Sequence, residues 1–300
     1  MMPPTRDNNS SSGNTFPAII PAATVLICRE GDRGPEVLMI QRHSKSDVHG
    51  GSYVFPGGKV DAQDGASDAD AVLDQPRAQL QARLHDETFD TTAATAVHVA
   101  AAREVFEEAG LLLAEGVTAV ARAHVTALAA QGLGFAALLA RLGLRLNTRA
   151  MPPWSRWVTP EHAIVSPGKR FDTMFFLARE PEGQQADLDQ HEAVCSAWLR
   201  PREALERYWS GDIVLAPPQI MSMVHLTHYA SVDAMFAQAR SHVPYVVRPV
   251  VFEFDGTRAI AYPGDERHPV RQRVMPGPTR LILRGKRMEP VGGFKDFLRD

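Results

Sequence analysis

Residues 100–111, AAAREVFEEAGL, constrain this chain more than any other stretch. Wound as an α-helix at about 100° per residue, they place Glu104, Glu107 and Glu108 on one arc of about 100°. Ala102, Val105, Phe106 and Ala109 fall on the opposite side. The spacing predicts a helix packed through its apolar face, with Gly110 ending it in a left-handed cap. Three carboxylates on one arc repel each other by about 0.2–0.5 kcal/mol per pair. A hard divalent cation removes that cost, and oxygen ligands are what Mg²⁺ or Mn²⁺ prefer. Taken alone, an acidic cluster of this kind is more often a solvated surface.

Charge narrows the classes of ligand. Net charge is −3 and the sequence pI about 6.4, so there is no global basic field for nucleic acid or an anionic membrane. An anionic small molecule must be drawn in locally. No apolar run is long enough to span a bilayer. Cys28 and Cys195, far apart in apolar runs, read as buried thiols of a reduced cytoplasmic protein. The histidines show no zinc-site spacing, and His191-Glu192 does not continue to H-E-x-x-H. Gly132-Leu133-Gly134-Phe135-Ala136-Ala137 fits G-x-G-x-x-A but follows helical sequence, so it is set aside.

Hydrophobic patterning interleaves strands and helices. Strand runs are expected at residues 22–29 and 36–42, joined by the turn-rich EGDRGP, and at 154–159, 170–178 and 193–199. Helices are expected near 75–85, over 117–142, at 201–208 behind Pro201, and from Pro217 to about Arg240. The last sixty residues are β-rich, with strands inside 245–254 and 279–284. The fold class is therefore α/β (α+β), a mixed sheet between helices. Residues 1–17 read as a disordered leader, 18–240 as the main domain and 241–300 as a β-rich C-terminal extension.

Residues 103–111, R-E-V-F-E-E-A-G-L, resemble the second half of the Nudix box, G-x5-E-x7-R-E-U-x-E-E-x-G-U with U aliphatic, at every specified position. The first half does not lie directly upstream. Gly58 through Asp64 has the G-x5-acid spacing, directly after Phe55-Pro56-Gly57. Between Asp64 and Arg103 lie 38 residues where the uninterrupted box has seven, so about residues 65–95 read as an insertion. An interrupted box with Asp at its first acid is similar to the Nudix branch of coenzyme A and acyl-coenzyme A diphosphatases. Trp157-Val158-Thr159-Pro160, Arg170-Phe171-Asp172-Thr173 and Ala216-Pro217-Pro218-Gln219 add to that likeness.

The resemblance implies the Nudix fold and Mg²⁺- or Mn²⁺-dependent cleavage of a diphosphate in a small-molecule nucleotide. Coenzyme A or an acyl-coenzyme A is the leading substrate. ADP-ribose, a dinucleoside polyphosphate or a catalytically inactive binding module are the alternatives, and a homodimer is left open. It implies Glu104, Glu107 and Glu108 as metal ligands, with Glu192 a further carboxylate and Glu180 and Glu182 behind it. Arg103 would orient the carboxylates through Asp64, and Gly57 and Gly58 would let the backbone turn tightly near the phosphates. Arg42, Lys45 and Arg170 are candidate phosphate contacts. Because Asp is a methylene shorter than Glu, the Asp64–Arg103 pair is expected to need a closer backbone approach, or a second acid such as Asp86 or Glu87 from the insertion. The insertion itself is expected to be a helical excursion with its ends close together.

Overall fold

The computed structural model describes residues 17–42, 51–161, 169–186 and 193–299. Lys45, Glu192 and all but the last residue of the expected leader lie outside the described residues. Strand β1 (Ile19–Gly31) turns tightly into β2 (Gly34–Arg42), with Gly31 opposite Gly34. Gly34 has φ +108°, a conformation that favours glycine and closes the hairpin. Ala23, Val25 and Ile27 of β1 enter one core, while Leu26 and Cys28 enter another. That two-sided burial makes β1 a central strand.

Short strands β3 (Tyr53–Val54) and β4 (Gly57–Lys59) follow, β4 lying antiparallel along β1. Asp64 stands in a 3-10 turn, Ala62–Gly65, after which the insertion folds as a second 3-10 turn, Ser67–Val72, and helix α1 (Arg77–Leu84). The insertion is largely helical and leaves the acid-bearing helix unbroken, as expected, and its last residues run into the start of that helix. Helix α2 (Thr91–Ala109) starts well upstream of the box, inside the insertion. The alanine-rich run before Arg103 holds no helix breaker, so the helix propagates back to a capping residue. That cap is Asp90, whose carboxylate accepts from Ala93 N at 2.7 Å. At the other end Gly110 takes φ +64° and its N–H bonds Phe106 O, closing the helix where the sequence predicted.

After β5 (Ala114–Glu115), the helical stretch expected over 117–142 is two helices, α3 (Ala119–Ala129) and α4 (Phe135–Arg141). Gly132, at φ +82°, turns the chain between them. Strand β6 (Arg145–Leu146) pairs with β5. Then come β7 (Pro153–Val158), β8 (Arg170–Arg179) and β9 (Ala193–Leu199). Helix α5 (Pro201–Ser210) begins on proline. The expected helix from Pro217 to Arg240 is also two, α6 (Pro217–Leu226) and α7 (Val232–Ser241), the second capped by Ser231.

The C-terminal stretch adds β10 (Tyr245–Val247), β11 (Val250–Phe254), β12 (Thr257–Ala261), β13 (Arg280–Arg284) and β14 (Arg287–Pro290). The central sheet runs β10-β7-β8-β1-β2-β3, with β4 on β1 and β9 on β2. It is mixed, because β1 pairs with β8 and β10 with β7 in parallel and the other pairs are antiparallel. One face packs on α1 to α4 and the other on α5 to α7 and an antiparallel sheet of β11 to β14. No helix among the described residues is long and apolar enough to cross a membrane.

Candidate active site

Close backbone approach builds the site. β4 lies against β1 with Ala23 opposite Gly58 and Thr24 opposite Gly57. A Cβ on Gly57 would stand 2.4 Å from the Ala23 carbonyl oxygen, and one on Gly58 would stand 2.4 Å from the Glu104 carboxyl carbon. The first meets backbone, so only glycine at 57 lets β4 lie this close to β1, whereas a Cβ at 58 would push the Glu104 carboxylate out of its place. The two glycines thereby seat carboxylates directly. Gly57 N–H donates to Glu108 Oε2 at 2.8 Å, and the Glu104 carboxylate lies against the backbone of Gly58.

Arg103 gathers the remaining acids. Its Nε and one Nη hold the two oxygens of Asp64 at 3.0 Å each, a paired fork-to-fork contact. Its other Nη reaches Glu104 Oε1 at 2.8 Å and Glu107 Oε2 at 2.9 Å. A further N–H bonds Lys59 O at 2.9 Å, and Asp61 stands 3.8 Å away. Burial opposes the charge on Arg103, but the bond to Asp64 and the charges of Glu104, Asp64 and Glu107 outweigh it and raise its pKa further.

Asp64 therefore meets Arg103 across the insertion. The 3-10 turn Ala62–Gly65 supplies the closer approach the shorter side chain was expected to need. Asp61 N–H caps Asp64 Oδ2 at 2.8 Å, and Gly65 is so close to α2 that a Cβ would touch Thr92 at 3.1 Å. The second acid comes from the box itself. Asp86 turns elsewhere, to Arg156 at 2.5 Å. Arg156 also holds Asp172 at 2.7 and 2.5 Å and Thr88 Oγ1 at 2.7 Å, and lies over the Phe89 ring. Sequence reasoning missed this second clamp, because nothing in the spacing of Asp86, Arg156 and Asp172 marks them as neighbours.

Exposure grades across the three glutamates. Glu108 is 4% exposed, the Glu104 side chain 12% and the Glu107 side chain 51%, so the set opens from the fold towards solvent. All-oxygen donors beside one another suit a hard divalent cation. As they stand, no three His, Cys, Asp or Glu side chains among the described residues converge as a metal cage. The guanidinium of Arg103 holds Glu104 and Glu107, so either carboxylate would have to turn from Arg103 to ligate an ion.

The other candidates are spread out. Arg42 ends β2, with its Nε buried and lacking a hydrogen-bond partner among the described residues. Arg170 begins β8 opposite Ile19, its Nε 3.4 Å from Thr159 O. Glu180 follows β8, its N–H on Cys28 O and its carboxylate 3.8 Å from Arg29. That is five strand positions beyond Ala23, about 17 Å along the sheet, and Glu182 lies further on in an exposed turn. The structure therefore does not bring Glu180 or Glu182 to Arg103.

A helix carrying clustered carboxylates, an arginine joining it to a glycine loop, and a mixed sheet between helical layers define the Nudix class of fold and site. A solved Nudix hydrolase from Alicyclobacillus acidocaldarius superposes with a TM-score of 0.58 at 26% identity, covering 77% of this chain and 99% of that one. The family model described as the NUDT19 Nudix domain matches residues 19–226, and the chain belongs to that family of Nudix hydrolases, enzymes that cleave diphosphate bonds. It is 31% identical over 260 residues to the Gallus gallus acyl-coenzyme A diphosphatase NUDT19, covering 71% of this chain and 69% of that protein. It is 30% identical over 238 residues to the Homo sapiens protein of the same name, covering 67% and 62%.

Proposed function

We propose that this enzyme hydrolyses the diphosphate of coenzyme A or an acyl-coenzyme A, giving 3′,5′-ADP and the matching 4′-phosphopantetheine. The observation that carries this reading is the interrupted box closed by Asp64 and Arg103 at 3.0 Å, the architecture that resembles the coenzyme A branch. The names of the relatives point the same way. Mg²⁺ or Mn²⁺ is the proposed cofactor, held by Glu104, Glu107 and Glu108, with a carboxylate such as Glu192 completing the set. When bound, the ion supplies charge neutralisation of the diphosphate and a more acidic water.

The chain's own groups prepare that step. Asp64 fixes Arg103 from beneath, so the guanidinium aims its remaining N–H groups at Glu104 and Glu107. Gly57 N–H holds Glu108 in one orientation. Arg103 also offsets mutual repulsion among the acids before substrate arrives. Arg42 and Lys45 are proposed to attract the diphosphate. Both cysteines are free, which suits a reducing compartment such as the cytoplasm.

The test is steady-state hydrolysis with Mg²⁺ over coenzyme A, acyl-coenzyme A esters, ADP-ribose and dinucleoside polyphosphates, with products separated by chromatography. Coenzyme A or an ester should show the highest kcat/KM. A tenfold advantage for ADP-ribose or a dinucleoside polyphosphate overturns the substrate assignment.

A further inference from the structure

A second feature lies on the same sheet face as the carboxylates. Across one end of the central sheet Ala22 is paired with Lys59, Ile19 with Arg170 and Asp172 with Val158, while Val247 is paired with Trp157. Val60 N–H bonds Pro21 O on one side of β1, and Asp172 pairs with Pro21 on the other. The catalytic loop and β8 are therefore about two strand spacings apart, roughly 10 Å. Because side chains alternate, Ile19, Arg170, Asp172 and Val158 project to one face, and it is the face on which Met174 and Phe176 pack with α2.

There a cleft of about 450 Å³ opens, floored by Ile19, Val158 and Asp172 and walled by Arg170, Arg248 and Pro249. Arg248 and Pro249 lie between β10 and β11, so the C-terminal stretch completes the cleft. Asp172 is paired with Arg156, which it shares with Asp86. Arg170 makes only its bond to Thr159 O, and Arg248 has no carboxylate within ion-pair distance among the described residues. Glu161 is the remaining acid on the rim, and it is exposed. Two arginines without carboxylate partners among the described residues, beside the apolar surfaces of Ile19, Val158 and Pro249, fit an anion attached to a flat apolar group.

We infer that this cleft binds the 3′-phosphorylated adenosine end of the substrate, with Arg170 and Arg248 on the 3′-phosphate and the base over Val158 and Pro249. The inference rests on the proposed coenzyme A reading and names how that substrate is told apart from other nucleoside diphosphates. The pantetheine arm carries no anion to meet two guanidiniums, so the geometry sends it the other way from the diphosphate. The C-terminal stretch thereby becomes part of the specificity apparatus.

The experiment compares coenzyme A with 3′-dephospho-coenzyme A in the full chain and in Arg248→Ala, Arg170→Ala and the double variant. Thermal melts monitor folding. The wild type should prefer coenzyme A in kcat/KM, chiefly through KM, and the double variant should lower that preference about tenfold or more. A preference within twofold of wild type in the double variant overturns the inference. Calorimetric titration with 3′,5′-ADP and 5′-AMP gives a readout that needs no turnover. The wild type should bind 3′,5′-ADP the more tightly and lose that margin in Arg248→Ala. Equal binding of the two nucleotides by the wild type, or displacement by 4′-phosphopantetheine that Arg248→Ala relieves, places a different group in the cleft. If the wild type instead hydrolyses ADP-ribose best yet still prefers 3′,5′-ADP in the titration, the substrate assignment fails and the cleft assignment stands.

Discussion

Two buried arginines, Arg103 and Arg156, fasten the two ends of one insertion, and they differ in what else they hold. Arg103 grips Asp64 at the entry, and Arg156 grips Asp86 and Thr88 at the exit. Arg156 is satisfied inside the fold. Its acids, Asp86 and Asp172, are both largely covered, and its guanidinium lies 4.6 Å from the Phe89 ring centroid. Arg103 carries two more carboxylates, and one of them, Glu107, faces solvent. Both arginines hold more acid than one guanidinium neutralises, but only the set on Arg103 opens outward, beside a glycine loop, as the proposed metal site requires.

Replacing each arginine by Met should break the comparison most sharply. Either change leaves a carboxylate without its partner inside the fold and should cost about 3–5 kcal/mol in urea unfolding. Arg103→Met should in addition lower kcat by on the order of a hundredfold or more. The folded fraction of Arg156→Met should lose far less. Equal loss of turnover in both would mean that the two clamps do not differ in kind.

Glu108→Gln keeps an oxygen for Gly57 N–H, so the fold should persist while kcat falls on the order of a hundredfold or more. Stripping divalent ions with EDTA should abolish turnover, and Mg²⁺ or Mn²⁺ should restore it. Full activity after either treatment would remove the metal reading.

A smaller effect is expected for Asp64→Asn, which weakens the support of Arg103 and leaves the three glutamates in place. It should cost less turnover than Glu108→Gln, and the reverse order would make Asp64 a direct participant.

The smallest effect is in acid. Although burial favours the neutral form of Asp86, its bonds from Thr88 and Arg156 hold the carboxyl below the usual carboxylate range. Its contribution is therefore present above the unfolded value, near 4, and is lost as pH falls through the lower folded value. The stability difference between wild type and Asp86→Asn should stay flat from pH 7 to about 5 and shrink below about 4. A difference that persists undiminished far into acid would show that Asp86 acts through packing rather than charge.

Local chemistry was legible where the relevant neighbours are close in sequence. The glutamate arc and the Gly110 cap lie within a dozen residues on one helix, so 3.6-residue periodicity alone predicted which side is apolar. The first hairpin was legible for the same reason, its turn and both strands being contiguous. The pairing of Asp64 with Arg103 was implied by the resemblance of two half-motifs separated by a gap, and only the fold shows how a 3-10 turn and Gly65 make it reach. Breaks inside long helical patterns, at Gly132 and before Ser231, were harder to see because a polar or glycine position is tolerated in a helix until packing decides otherwise.

What the sequence by itself determined is an arc of carboxylates on a capped helix, and it is the resemblance of that stretch to the Nudix box, not its spacing, that implied the class of chemistry. Which distant side chains serve that helix was decided only in three dimensions. Gly57 and Gly58 read as turn residues, yet their missing Cβ atoms are what let Glu104 and Glu108 sit against a neighbouring strand. Arg156 meets Asp86 and Asp172, and Arg248 comes up beside Arg170, only because strands distant in the chain pair within one sheet. Spacing along a helix or strand is set by backbone geometry. Contacts between strands depend instead on which apolar faces bury one another, and that is a property of the whole chain.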